Sequence, residues 1–198
     1  ENPRPTRAEV SDIANAIYSK ADAIMLSGET TFGKYPVESV KTMAKVAAEV
    51  EKSRGDMHDT PMAILSTETS SYLAKSAVEA SIRLRAKAII ADTETGRAIR
   101  NLAGYRGRKL IYAQCYDKRV MRELALSFGV YANFMEPHEQ HEFVINTLNA
   151  LINKGCIKKT HQVVVLGGSF GLHHGASFIE ISTAGKLLVN NNQVTKRD

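Results

Sequence analysis

Hydroxyl, carboxylate and glycine come together at Ser27-Gly28-Glu29-Thr30, directly after the apolar run Ala23-Ile24-Met25-Leu26. A strand that ends in a polar, Gly-punctuated turn and passes into a helix is the unit in which parallel α/β folds carry their chemistry, because the loops at the carboxyl ends of the strands form the working face. There the Ser27 hydroxyl could order a water or relay a proton, and the Glu29 carboxylate could orient that hydroxyl. The same residues also suit a plain turn whose Ser and Thr bond local backbone.

A second constellation, Thr93-Glu94-Thr95-Gly96-Arg97, again follows an apolar stretch and opens a helix. Hydroxyls, backbone N–H groups and a positive helix end converge there on one point suited to phosphate. Capping by Thr95 would use the same residues for structure alone. The turn Gly167-Gly168-Ser169-Phe170-Gly171 could close over that point. Arg7 lies in the first turn of a helix, where a cation opposes the dipole by about 0.3–1 kcal/mol, so some other contact must favour it; a solvated Arg is the plain alternative. His138 and His141 stand i, i+3 and His173 and His174 are adjacent, but no third ligand is spaced to help them, and no metal site is expected. Cys115 and Cys156 lie in separate apolar contexts without C-x-x-C spacing, which fits reduced thiols in the cytoplasm.

The elements that must hold these residues can be read in order. Thr6 caps a helix with Glu9 in capping-box position, and Val10, Ile13, Ala14 and Ile17 recur at helical spacing to about Lys20. A strand over Ala23–Leu26 follows, then a helix from Pro36 with Val37, Val40, Met43, Ala44, Ala47 and Val50 as its buried stripe. Charge, Gly and Pro replace this periodicity at Glu51–Pro61, so the chain divides into residues 1–52, a linker 53–61 and residues 62–198. The second part alternates: helix 69–84, strand 86–91, helix 97–104, strand 109–114, helix 118–128, strand 130–134, helix 138–153, strand 162–166, and an edge strand over 177–182. Strands separated by helices predict a mainly parallel five-stranded sheet in a three-layer α/β/α domain. Tyr72, Tyr112, Tyr131, Phe134 and Phe143 read as packing.

With 43% apolar and 24% charged residues over 198 positions, the composition is that of a globular protein. No apolar run approaches the roughly 18 to 20 residues that span a bilayer. The net charge of +5 is spread along the chain rather than bunched, which predicts a solvated basic surface or phosphate-bearing small molecules, with no nucleic acid or membrane partner. The chain opens Glu1-Asn2-Pro3-Arg4-Pro5, with neither an initiator Met nor a leader pattern, so a piece of a longer chain is expected. One strand between two helices buries too little to fold by itself and makes sense as the end of a (β/α)₈ barrel.

Three stretches in order, Asn2-Pro3-Arg4-Pro5-Thr6-Arg7-Ala8-Glu9-Val10-Ser11-Asp12, Ala21-Asp22-Ala23-Ile24-Met25-Leu26-Ser27-Gly28-Glu29-Thr30 and Gly33-Lys34-Tyr35-Pro36, closely resemble the end of the catalytic barrel of the pyruvate kinase family. The rest resembles that family's carboxyl-terminal α/β domain, including Thr93–Arg97 and Tyr105-Arg106. Departures are Thr31-Phe32 in place of Ala-Lys, Gly107 where Pro is common, and Lys159-Thr160-His161 before the last buried strand.

The resemblance implies phosphoryl transfer from phosphoenolpyruvate to ADP, giving pyruvate and ATP in glycolysis, with Mg²⁺ and K⁺ assisting. It implies that the metal ligands and the catalytic lysine lie upstream, so this part alone would be inactive. Ser27 and Glu29 would then support an active site and Arg7 a subunit contact in a homotetramer. Thr93, Glu94, Thr95, Gly96 and Arg97, with Gly168 and Ser169, would bind a sugar-phosphate effector in an allosteric, cytoplasmic enzyme. The alternative is a stand-alone phosphometabolite-sensing or interaction module without kinase activity, against which the barrel-like stretch speaks. A dinucleotide-binding doubly wound domain would need G-x-G-x-x-G after a strand, and none is present.

Overall fold

The computed structural model describes residues 4–53, 68–137, 142–168 and 176–194. The chain divides into two compact units, residues 1–61 and 62–198. His138, His141, Ser169, Phe170, Gly171, His173, His174 and most of the expected linker lie outside the described residues.

In the first unit, Thr6 and Glu9 form the expected capping box at the start of α1 (Arg7–Tyr18). The Thr6 N–H donates to Glu9 Oε2 at 2.7 Å and the Glu9 N–H to Thr6 Oγ1 at 3.3 Å. After Lys20, whose φ is +64°, the chain runs without regular structure to Ser27. The strand expected over Ala23–Leu26 does not form, because an extended segment becomes a strand only by pairing with a neighbour, and no described residue of this unit offers one. A single turn, α2 (Gly28–Thr31), and a longer helix, α3 (Pro36–Ser53), follow. The Tyr18 hydroxyl meets Ser53 Oγ at 3.0 Å, tying the end of α1 to the end of α3. The apolar stripe of α3 has the expected spacing but is half covered: Val50 is buried while Val37 is 57% exposed.

The second unit is built on a five-stranded sheet in the order β3-β2-β1-β4-β5. Its strands are β1 (Ala88–Thr93), β2 (Ile111–Cys115), β3 (Val130–Phe134), β4 (Gln162–Gly168) and β5 (Ala176–Thr183), all parallel except β5, which runs antiparallel at the edge. The helices are α4 (Thr69–Arg83), α5 (Arg97–Gly104), α6 (Lys118–Glu123), α7 (Phe143–Asn153) and α8 (Ala184–Val194). Alternate residues of a strand face opposite sides, and the core divides accordingly. Ile89, Ala91, Val164 and Leu166 pack in one cluster with Ala74 and Val78 of α4 and Leu102 of α5. Ala88, Ile90, Val163 and Val165 pack in the other with Leu148 and Leu151 of α7 and Leu187 of α8. Burial on both faces explains why these strands read as unbroken apolar runs, and the fold is the expected three-layer α/β/α.

Four details correct the sequence reading. Strands β1 and β2 begin two residues later than expected, and β1 continues through polar Asp92 and Thr93, which pair with Gln114 and Cys115. The helix expected to reach Phe128 stops at Glu123 and passes through a 3₁₀ turn, Leu124–Leu126, into a turn that ends at Gly129, whose φ is +66°. Helix α8 was not foreseen; Gly185 and the Asn run weaken its propensity, and burial of Ala184 and Leu187 overrides that. Tyr72, expected as packing, is 59% exposed, whereas Tyr131, 53% exposed, meets the Tyr112 ring edge-on at 5.9 Å between centres and Phe143 is buried, both as expected.

Candidate functional site

Parallel strands bring the segments that leave them to one edge of the sheet. With Ala91 opposite Leu166, Thr93 and Gly168, each two residues further on, reach the same carboxyl-terminal rim. The loop from β1 to α5 is built by its own polar groups. Buried Thr93 turns its Oγ1 toward the Gly96 N–H, which donates to it at 2.8 Å, and the Arg97 N–H reaches Thr95 Oγ1 at 3.5 Å. Gly96 occupies the N-cap position of α5 with φ +81°, a conformation glycine adopts without strain. A Cβ there would also meet Arg100 Nη1 at 2.8 Å. The capping expected of Thr95 is therefore shared, with Thr93 making the shorter bond.

Three guanidiniums of this rim are held by carboxylates, while Lys118 Nζ lies 4.7 Å from the centre of the Phe134 ring. Arg97 Nη2 donates to Glu68 Oε1 at 2.9 Å. Arg100 donates through Nη1 to the Thr95 carbonyl and through Nη2 to Glu123 Oε2, each at 2.9 Å, while Arg119 Nε donates to Glu123 Oε1 at 2.9 Å. Glu94 is exposed. Next to the loop, the Tyr116 hydroxyl donates to Asp92 Oδ2 at 2.9 Å. Burial, then the Asp92 charge, holds that hydroxyl far above its ordinary range. Burial also pushes the Cys115 thiol up to about 11, with Asp117 adding to the shift.

Glu68, Arg100, Glu123 and the Asp92–Tyr116 pair were not foreseen from the sequence. Arg97 and Arg100 at i, i+3 and Arg119 and Glu123 at i, i+4 were visible signals. The contacts across 29 and 23 residues were not.

The turn in the first unit is gripped differently from the expectation. Glu29 Oε2 accepts the Ser27 backbone N–H at 2.9 Å rather than its hydroxyl, and the Thr30 and Thr31 hydroxyls donate to the Ser27 carbonyl at 3.0 and 2.9 Å. Bonds from its own N–H and from that of Ser27 lower the pKa of the Glu29 carboxyl. The turn is thus one helical turn closed by Glu29, with Ser27 at its N-cap making no side-chain cap bond. A cleft of about 640 Å³ adjoins it, with Ile24, Leu26, Glu29 and Tyr35 on one wall and Glu9 and Ile13 of α1 on another. Arg7 is exposed at the first position of α1.

The family described as the pyruvate kinase alpha/beta domain matches residues 71–182, and that described as the pyruvate kinase barrel domain matches residues 1–40. The chain is 40% identical over 197 residues to the pyruvate kinase of Borreliella burgdorferi, covering 97% of this chain and 41% of that protein. It is 39% identical over 172 residues to that of Clostridium acetobutylicum, covering 84% and 36%. To that of Methanocaldococcus jannaschii it is 36% identical over 171 residues, covering 86% and 38%. The chain therefore spans well under half the length of these curated relatives.

Proposed function

The chain belongs to the pyruvate kinase family, and from that premise we propose that it is the carboxyl-terminal part of a longer enzyme that transfers the phosphoryl group of phosphoenolpyruvate to ADP, giving pyruvate and ATP. What supports this reading is the order of two matches along one chain, barrel domain over 1–40 and then α/β domain over 71–182. Residues 1–52 are the end of the barrel, 53–61 the linker and 62–198 the α/β domain. A stand-alone sensing module would have no use for the barrel elements.

Ser27 and Glu29 support the active site from the barrel's rim: by closing on the Ser27 amide, Glu29 fixes where the turn presents Ser27. Arg7 contributes to a subunit contact in a homotetramer of a cytoplasmic enzyme. The parent uses Mg²⁺ and K⁺. Among the described residues no group of three His, Cys, Asp or Glu could hold a metal ion, so the carboxylates that hold the divalent ion belong to another part of the parent. Thr93, Glu94, Thr95, Gly96 and Arg97, with Gly168 and Ser169, bind the phosphate of a sugar-phosphate effector; the positive end of α5 and the Arg97 guanidinium supply the attraction.

Steady-state assay of the full-length parent tests both halves of the reading. Pyruvate should form from phosphoenolpyruvate only with ADP, and Ser27→Ala should lower turnover. A sugar mono- or bisphosphate should shift the activity, and Arg97→Gln should abolish the shift while sparing basal turnover. Absence of pyruvate formation overturns the enzyme reading. Activity indifferent to every sugar phosphate, with no heat on calorimetric titration, overturns the effector reading alone.

A further inference from the structure

The opposite rim, where the parallel strands begin, collects charge that looks dispersed in the sequence. Segment 83–87 leads into β1, 106–110 into β2 and 154–161 into β4, while 184–189 follows antiparallel β5 and so lies on the same rim. Each of these segments carries Lys or Arg, and none contains Asp or Glu. Lys87 and Lys109 each stand two residues before the first β1–β2 pair, Ile89 opposite Ile111, and the Lys87 N–H donates to the Gln162 carbonyl. Arg85, Lys87, Lys158, Lys159 and Lys186 are exposed. None of these five enters an ion pair with a described carboxylate, whereas Arg97, Arg100 and Arg119 on the other rim all do.

Two exposed leucines stand among these cations: Leu84, 46% exposed, and Leu110, 53% exposed. We propose that this amino-terminal rim is a docking surface for an acidic, amphipathic segment of a protein partner. Adjacent strands lie about 4.8 Å apart, so the cations from β2 to β5 span about 15 Å, the length of a helix of about ten residues. Carboxylates at helical spacing would meet the lysines, and apolar side chains between them would cover Leu84 and Leu110. A nucleic-acid backbone offers nothing to the leucines. The stacking on exposed aromatics that holds single strands has one half-exposed ring to use here, Tyr131, and Lys154 Nζ already lies 5.9 Å from its centre; Tyr105 is buried, and the Arg106 guanidinium lies 4.8 Å from the centre of the Phe128 ring.

Fluorescence anisotropy with the whole chain tests this. The probes are a labelled peptide of about twelve residues with Glu and Leu at helical spacing, the same peptide with Gln for Leu, and a labelled single-stranded RNA of similar charge. The Glu/Leu peptide should bind most tightly, and its affinity should fall as salt rises. The triple variant Lys158→Gln, Lys159→Gln, Lys186→Gln should weaken it by about tenfold, the three exposed pairs acting together. Leu84→Ser with Leu110→Ser should weaken the Glu/Leu peptide and leave the Glu/Gln peptide unchanged. No binding at low salt, or a triple variant that binds as tightly, overturns the proposal. RNA binding more tightly than either peptide and indifferent to the leucines overturns it in favour of a nucleic-acid surface.

Discussion

The two rims of one sheet are built on opposite principles. At the carboxyl-terminal rim polar groups are satisfied by each other: Thr93 by the Gly96 amide, Tyr116 by Asp92, Arg97 by Glu68, and Arg100 by Thr95 and Glu123. At the amino-terminal rim Lys87, Lys158, Lys159 and Lys186 face solvent without a described carboxylate. A parallel sheet sorts segments by whether they lead into a strand or leave it, so a charge spread evenly along the sequence need not be even in space. The first rim is organised to hold a shape, the second to present a field.

The cysteines report on this contrast, one at each rim. Cys115 ends β2 at the carboxyl-terminal rim and is fully buried; Cys156, in the segment leading to β4, is exposed. A thiol reagent should modify one cysteine quickly in the native chain and the second only on unfolding. Burial raises the folded-state pKa of Cys115 from 9.0 to about 11, so its contribution is present below about pH 9 and lost as pH rises toward 11. Stability should fall over that window by about 3 kcal/mol, since each tenfold change in proton affinity is worth about 1.4 kcal/mol. Tyr116, shifted the same way, adds to the fall above about pH 10. Chemical denaturation of Cys115→Ala should show the limb between pH 9 and 10 flattened; an unchanged limb would place the titration elsewhere.

Thr93→Val sharpens the contrast at the loop itself. It keeps the shape but removes the acceptor of the buried Gly96 N–H, which costs about 1–3 kcal/mol for an orphaned donor. The urea midpoint should drop, binding of a sugar phosphate should be lost, and Thr93→Ser should restore both. A Val variant as stable as the parent would mean that the loop is not held by this bond.

Much of the fold was legible because its signals are local. The capping box of Thr6 and Glu9, the apolar runs of β1 and β4, and α5 from Arg97 to Gly104 each depend on neighbours within a few residues. What failed depends on distant partners. Ala23–Leu26 has strand composition but no described strand beside it, and α8 exists because α7 covers Leu187. That Thr93, Gly96 and Arg97 meet where β1 passes into α5 was readable from type and spacing. Their neutralisation was not, since Glu68 precedes Arg97 by 29 residues. The amino-terminal cations escaped for the same reason, because only strand order shows that Lys87, Lys109 and Lys159 share an edge.

The smallest effect falls on a contact whose loss makes the carboxyl-terminal rim resemble its opposite. Glu68 and Arg97 are paired at 2.9 Å, with side chains 47% and 68% exposed. Exposed pairs contribute about 0.2–1 kcal/mol, so Glu68→Gln should leave the unfolding midpoint almost unchanged. The same carboxylate, however, occupies the guanidinium that a phosphate would need. Removing it should tighten sugar-phosphate binding by up to about fivefold at low ionic strength, the ratio that 1 kcal/mol represents. The gain should shrink as salt screens the exposed pair. Calorimetric titration of the wild-type and Glu68→Gln chains at two salt concentrations reads this directly. Equal affinities at low salt would show that Glu68 does not compete for the site, and weaker binding by the variant would show that Glu68 instead holds Arg97 in the binding position.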